Sequence, residues 1–544
     1  MSFYAHTRQL QAQPGVQLNP LRDNTDGFSP APTDQAFAVV GRFKRGRIDA
    51  PFRVNKGNLK AKLGAAESLR ISALNEAYVQ TSEALEGGAF EAIVMRLTTP
   101  AAKNAYLTFK VGLGGTASSF TSSEAAPVAP YLFYLQMLDC FNDGYRFEVT
   151  AEKTMAADGV SPTAAKVITL TIREPNSNLL YEFTGSLDPY AVDEHGQDYF
   201  IGSVIEAQTD LVKIVVAADS NIPPTADCYG RNSDGSPKVA SSGASPMVLF
   251  TEGGTGYAVS DYDAALAKLE GGSLDFGYMI SGGSQAVALL SKMAALAVRS
   301  NRQFCFDVPG TLNPAAAALF MAQLNLDTHY CQAYWAPLQT DDPVNGGKAF
   351  IGTAGYNVGL RCGRNAQTNA YGLAPKNFPV AGKEWPLART GVKQTYNPSD
   401  PELSDLANAK INPVIFIRYN DGGKFVYSDS ITCAKVNVSA RKLLSVSEMS
   451  STIDDMVAKY GKETLQLPME TAIKKSSEFL KSLFDGCRAS DWFVASSEKE
   501  LGEKGYTFSV KRNAQRPNDR MDITYGCHYD GVVRAIHITQ TLSK

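Results

Sequence analysis

Hydrophobic and polar positions along this chain follow three textures in turn. The first 35 residues are polar and rich in Gln, Asn and Pro (Gln9, Gln11, Gln13, Pro14, Pro20, Pro30, Pro32). They hold no apolar set able to form a core, so they read as an arm. Order starts at Ala36–Gly41, a continuous apolar run closed by glycine, which predicts a buried strand. A basic loop, Arg42–Arg47, follows, and Phe52–Val54 resumes an extended pattern. From about Phe90 to Val248 apolar and polar positions alternate in short runs (Ala105–Val111, Tyr145–Thr150, Val167–Arg173) separated by Gly, Ser and Pro clusters. That texture predicts a β-rich domain with long loops.

The third texture is strand–helix alternation. A short run, Val248–Phe250, ends in a glycine-rich turn, Glu252–Gly256. Helical spacing over Asp261–Leu269, Ser284–Ser300 and Ala315–Leu324 is interleaved with strand patterns at Phe276–Ile280, Phe304–Val308 and His329–Trp335. This predicts an α/β layer into which the β-rich domain is inserted. After the turn-rich stretch Asn369–Val392 come a short helix, Leu403–Ala409, and a hairpin, Ile411–Tyr419 with Phe425–Tyr427, across Asn420–Gly423. Lys442–Tyr460 has helical spacing. The clearest helix is Met469–Phe484, with Pro468 at its start, Gly486 just past its end, and Met469, Ala472, Ile473, Phe479, Leu480 and Leu483 on one face. Strands Tyr506–Lys511 and Met521–Tyr529 follow, and the alternating run Val532–Leu542 closes the pattern. The expected fold class is therefore mixed α/β and multidomain. Its parts are an arm at 1–35, an α/β domain from 36–97 and 248–390, an inserted β-rich domain at 98–247, and a C-terminal domain at 391–544.

Composition narrows the function classes. With 44% apolar and 20% charged residues over 544 positions, the chain is globular rather than disordered or fibrous. A net charge of −3 argues against a basic nucleic-acid binder. No apolar run reaches the roughly 18–20 residues that span a bilayer. The nearest, Ala315–Leu326, contains Gln323 and Asn325. Met1–Pro20 lacks the apolar core of a signal peptide, so a soluble protein made in a cytoplasm is expected. Eight cysteines (140, 228, 305, 331, 362, 433, 487, 527) form no Cys-x-x-Cys pair and do not cluster with histidine. They read as free thiols, with no metal site expected.

Catalytic chemistry finds no foothold. Neither Gly112–Thr116 nor Glu252–Tyr257 carries the Gly-Lys-Ser/Thr ending of a phosphate loop. The serines at 118, 119, 122 and 123 lack a nucleophile-elbow context. His195 sits in an acidic turn, and His528 and His537 lie at strand positions. Asp341–Asp342 and Asp454–Asp455 are sequence neighbours whose side chains should diverge. No catalytic residue and no cofactor is expected.

Five stretches, in order, resemble the contractile phage (myovirus) tail sheath family: Phe37–Gly46 with Ala50–Val54 and Leu63–Gly64; Leu249–Gly256 with Tyr262–Leu266; Phe304–Pro309 with Tyr330–Pro337; Tyr356–Gly363 with Tyr371–Asn377; and Leu403–Val414 with Val436–Leu443. The resemblance covers Ala36–Leu97 and Val248–Leu542, about two thirds of the chain, and leaves out Thr98–Met247. Departures are Ser430–Cys433 after the hairpin and the missing Pro-Ala-Glu signature near the C-terminus.

The resemblance implies a structural subunit, not an enzyme, that polymerises as stacked rings of six around a tail tube and contracts to drive the tube through a host envelope. The insertion would protrude outward, and Tyr356–Gly363 would be a glycine-containing strand. Partners would be further copies of the chain, the tube protein, and baseplate and tail-terminator or neck proteins, with no nucleic acid and no membrane insertion. Assembly would occur in the host cytoplasm and the location would be the virion tail. The arms would exchange strands between subunits, and open sheet edges suit that role. For the C-terminal arm the candidate residues are Val532, Val533, Arg534, Ile536, Ile538 and Leu542. Lys474, Lys475 and Lys481 on helix Met469–Phe484 are candidates to face the tube. A tailocin or type VI-like contractile injection system is the alternative setting.

Overall fold

A computed structural model describes residues 33–111, 118–139, 145–151, 164–174, 178–218, 220–222, 239–240 and 257–541. Most of the N-terminal arm, both glycine-rich stretches, Val248–Phe250, Cys140, Cys228 and Leu542 lie outside those residues.

The first elements are β1 (Ala36–Gly41), β2 (Phe52–Val54), α1 (Leu59–Leu63), α2 (Glu76–Glu86) and β3 (Glu91–Arg96). The insertion supplies β4 (Tyr106–Val111), β5 (Ser118–Ser123), β6 (Phe133–Met137), β7 (Arg146–Ala151), β8 (Val167–Arg173), β9 (Leu179–Ser186), α3 (Ile201–Gln208), β10 (Val212–Val216) and β11 (Val239–Ala240). The chain then returns with α4 (Val259–Gly271), β12 (Tyr278–Ile280), α5 (Val287–Ser300), β13 (Gln303–Val308), α6 (Pro314–Leu324) and β14 (Cys331–Trp335). Next come β15 (Leu338–Asp341), β16 (Lys348–Phe350), α7 (Ala354–Asn365), β17 (Lys393–Gln394), α8 (Asp400–Asn408), β18 (Ile411–Tyr419) and β19 (Gly422–Tyr427). Last are α9 (Leu444–Thr464), α10 (Met469–Ala489), β20 (Tyr506–Arg512) and β21 (Met521–Cys527).

The central sheet has eight strands in the order β19-β18-β14-β13-β12-β1-β3-β2. Its six inner strands are parallel, and an antiparallel strand closes each edge. Every residue of β1, β3, β13 and β14 is buried, as expected when helices cover both faces. The hairpin β18–β19, assigned from sequence to the C-terminal region at 391–544, extends this sheet.

One expectation fails here. Tyr356–Gly363 is not a strand but the body of α7. Its glycines at 355, 359 and 363 recur every four residues and so share one helix face. A Cβ on Gly359 would lie 2.6 Å from the Ala84 carbonyl oxygen, and one on Gly355 would lie 2.7 Å from Gln80 Cβ. These glycines let the backbones of α7 and α2 approach closely. A glycine-rich segment read by composition suggests an extended or turn element, and only the four-residue spacing reveals the helix contact.

The insertion is β-rich as expected, with antiparallel sheets β10-β6-β4-β5 and β11-β7-β8-β9. They enclose a shared core that includes Phe109, Phe133, Leu135, Ile168, Leu170 and Phe183. Helix α3, with Ile201 and Ile205 in that core, was not anticipated. The insertion docks on the basic loop. Arg96 pairs with Asp139 at 3.0 Å, while Arg47 and Lys62 share Asp210 at 3.2 and 2.6 Å.

At the C-terminal ends of parallel strands, open α/β sheets take ligands beside the point where strand order reverses. Here that point lies between β1 and β12, and the first turn of α2 fills it. A Cβ on Gly283 would meet Glu76 Cβ at 2.5 Å. The cavity that remains, bordered by Glu76, Gly283 and Asp307, measures about 50 Å³.

Candidate assembly interface

Beyond β19 the chain builds a second, smaller core. Helices α9 and α10 pack together and carry the β20–β21 hairpin on one side. Pro468 immediately precedes α10, Glu470 lies in the first turn and Arg488 in the last, an arrangement that complements the helix dipole. The helix runs to Ala489, past the expected end. Gly486 is therefore not a terminator but a buried helical residue, whose Cβ would lie 3.3 Å from Tyr371 Cβ. Ala472, Ser476, Leu480, Phe484 and Cys487 form the buried stripe. Phe484 is its centre, with ring contacts to Phe493, Tyr506, Phe508 and Tyr525 at 5.3–5.9 Å.

The hairpin alternates as a one-sided sheet should. Tyr506, Phe508 and Val510 face the helices opposite Cys527, Tyr525 and Ile523. Thr507, Ser509 and Lys511 point outward opposite Gly526, Thr524 and Asp522. Among the described residues each strand has one ladder partner, so both outer edges lack a neighbouring strand.

The chain leaving β21 is strapped for three residues. The His528 amide donates to the Gly505 carbonyl, the Val494 amide to the His528 carbonyl, and the Asp530 amide to the Trp492 carbonyl, at 2.7–3.0 Å. From Gly531 to Thr541 there is no strand. Val532 is half-buried, while Val533, Ile536 and Ile538 are 77%, 76% and 89% exposed. Arg534 reaches back to Asp429 in the loop after β19, Nε to Oδ1 at 2.8 Å. The alternation read from sequence is present, but among the described residues Ile536 and Ile538 on its apolar side stay exposed.

The three lysines proposed from sequence are exposed on α10, away from the buried stripe. Glu470 and Glu478 stand one turn before and after Lys474, so this face has mixed charge rather than a purely basic one. Arg512 of the hairpin pairs with Glu470 at 2.8 Å.

Sequence reasoning missed how α9 is fixed to the central sheet. Glu448, 2% exposed, accepts from Arg364 Nη2 at 3.0 Å and from the Tyr278 hydroxyl at 2.7 Å, with Arg361 Nη1 at 3.9 Å. Burial alone would raise its pKa. Arg364, Arg361 and Lys376, with the Tyr278 hydroxyl, outweigh burial and hold the carboxyl below its usual range. Gln303 Nε2 donates to Ser447 and Ser451 on α9, and Arg302 pairs with Asp455 at 2.7 Å. Lys376 bonds Thr452 of α9 at 2.7 Å and pairs with Asp34, just before β1, at 3.1 Å. These groups are far apart in sequence, and no local pattern announces them.

The other chemistry-bearing residues stay apart. Asp341 binds Lys348 while Asp342 closes its own turn through the Val344 and Asn345 amides. Asp454 accepts from Tyr525, and Asp455 faces Arg302. His528 Nδ1 lies 3.1 Å from the Ala495 carbonyl, and His195 is exposed beside Glu194. The six described cysteines are free thiols.

No family model matches the chain, and no curated protein does. Among solved structures it is similar to a sheath tail protein from Desulfitobacterium hafniense, with a TM-score of 0.44 and 12% identity over 95% of this chain and 100% of that one. It is also similar to the PVC sheath complex of an extracellular contractile injection system in its contracted state, with a TM-score of 0.38 and 12% identity over 49% of this chain and 71% of that one.

Proposed function

We propose that this chain is the sheath subunit of a contractile tail, which polymerises around a tube and acts by rearranging. The observation that carries the reading is the segment 531–541. It alternates in sequence, with Ile536 and Ile538 on one side, forms no strand among the described residues, and leaves from beside a hairpin with open edges. Fully burying an aliphatic side chain of this size stabilises by about 1.5–3 kcal/mol. Seating Ile536 and Ile538, which share one side, on a neighbour would therefore contribute roughly 3 kcal/mol or more per contact, before the strand hydrogen bonds. Such a contact is head-to-tail. Where the rotation does not close, repeating it builds a helical polymer.

The arm then serves as a flexible tie while the bodies rotate. The buried Glu448 cluster keeps α9 on the central sheet, so rotation falls on the arms rather than inside the subunit. The crevice filled by α2 fits a structural role. Rings of six, contact of α10 with the tube, capping by baseplate and neck proteins, and an outward position for the insertion complete the reading. A single chain with so large an insertion favours a phage virion over a tailocin or type VI-like setting.

Deleting 532–544 tests it. Within the described residues the deletion removes one partly exposed ion pair, Arg534–Asp429, worth at most about 1 kcal/mol. The expected outcome is a folded subunit with nearly unchanged unfolding midpoint and no striated tubes in negative-stain micrographs. Tubes of normal length from the truncated chain would overturn the reading.

A further inference from the structure

Glu76 and Asp307, 9% and 8% exposed, stand at the C-terminal ends of the parallel strands and play no part in the proposed assembly. Gln80, fully buried one turn beyond Glu76, donates from a single nitrogen to both: Glu76 Oε1 at 2.7 Å and Asp307 Oδ2 at 2.8 Å. Together the two carboxyls hold the start of α7. Glu76 Oε1 also accepts the Gly352 amide at 2.5 Å, and Asp307 Oδ1 accepts those of Thr353 and Ala354 at 2.7 and 3.0 Å.

The cluster has too many acceptors. Gln80 Oε1 is buried with no donor. Among the described residues the cation facing the pair, Arg389, is committed to Glu83 at 2.6 Å and to the Ile351 and Gly352 carbonyls. The remaining neighbours bring no positive charge: Gly283 and Gln285 follow β12, Pro309, Gly310 and Thr311 follow β13, and Tyr427 on β19 donates to the Thr353 carbonyl.

We infer that Glu76 and Asp307 share one proton at neutral pH, so that the junction of α2, β13 and α7 is a proton-linked clasp. It is tightest with one carboxyl protonated, and it loosens when both are charged. The electrostatics agree with the geometry: burial first, then the charge of Asp307, pushes Glu76 up to about 7, and burial pushes Asp307 up to about 6. In the unfolded chain both carboxyls titrate near 4. The native state therefore binds the extra proton, and stability falls as pH rises through the window from about 4.5 to 7 and is level above it.

The test is the unfolding equilibrium of the full chain between pH 5 and 8.5, for the wild type and for Glu76→Gln. Gln keeps an acceptor for Gly352 and needs no proton. The wild type should lose up to about tenfold in its folding constant per pH unit between about pH 6 and 7, where a single proton leaves. Glu76→Gln should lack the part of that dependence above about pH 6, keep the Asp307 part below it, and be the more stable at pH 8. Equal slopes in the two proteins above about pH 6, or a variant less stable than the wild type at pH 8, would overturn the clasp. Infrared difference spectra at pH 6.5 give an independent readout. A protonated carboxyl stretch in the wild type that Glu76→Gln lacks supports the shared proton, and its absence from the wild type rejects it.

Discussion

Glu448→Ala probes the tie between the C-terminal core and the central sheet. In the native chain one carboxylate faces two guanidinium groups, Arg361 and Arg364, with exposures of 0% and 1%. Removing it leaves both cations buried. Arg361 keeps the Tyr334 hydroxyl and a long contact to Gln332 at 3.4 Å, and Arg364 keeps Asn365 and the Phe378 carbonyl. None of these is charged, and the Tyr278 hydroxyl loses its acceptor. Breaking one side of a buried pair typically costs 3–5 kcal/mol, a large share of the 5–15 kcal/mol that holds an ordinary domain. The expected loss is therefore about 3–5 kcal/mol. It is measured by urea unfolding of the unassembled subunit, followed by circular dichroism and by tryptophan fluorescence. Of the three tryptophans, Trp335 lies in the sheet and Trp492 in the C-terminal core, so each is read in a background whose other two are replaced by Phe. The two probes should coincide in the wild type and separate in Glu448→Ala, because the cluster links the regions they report. Glu448→Gln, which keeps the acceptor but not the charge, should fall between. A loss below about 1 kcal/mol, the size of an exposed pair, would refute this account.

Two further substitutions test the other arguments. Gly359→Ala should destabilise by about 1–2 kcal/mol, since overpacking against Ala84 backbone exceeds the gain in helix propensity, whereas Gly461→Ala in α9, with nothing within 4 Å of its Cβ, should stabilise by up to about 1 kcal/mol. Opposite signs in thermal melts confirm the close approach of α2 and α7, and equal signs reject it. If the proposed function holds, charge reversal at Lys474 and Lys475 should leave polymers of the chain alone intact and impair co-assembly with a tube; sedimentation of mixed assemblies reads it, and unchanged co-assembly would exclude this face.

The readings that held rest on local rules. The apolar run at 36–41, the strand–helix alternation at 259–335 and the hairpin at 411–427 each signal an element within one window of sequence. Those that failed depended on a distant partner. The glycines of α7 look like extended or turn chemistry until α2 is placed against them, and Gly486 looks like a helix stop until Tyr371 is seen beside it. The Glu448 cluster joins residues 278, 361, 364 and 448, and the Glu76 clasp joins 76, 80, 307 and 352–354. Buried polar groups of this kind follow from tertiary geometry alone, because a single charged residue in a helix reads the same whether it faces water or another charge.

The C-terminal segment is a different case. Its alternation of Val532, Ile536 and Ile538 is the pattern of a half-buried strand, yet in the subunit 531–541 forms none. A sequence encodes the environment a segment meets in its working state. Two of these apolar side chains, Ile536 and Ile538, held in water at 76% and 89% exposure, conflict with that pattern unless another chain covers them. The disagreement between pattern and chain structure supports the proposed assembly, in which the partner edge would lie on the next copy.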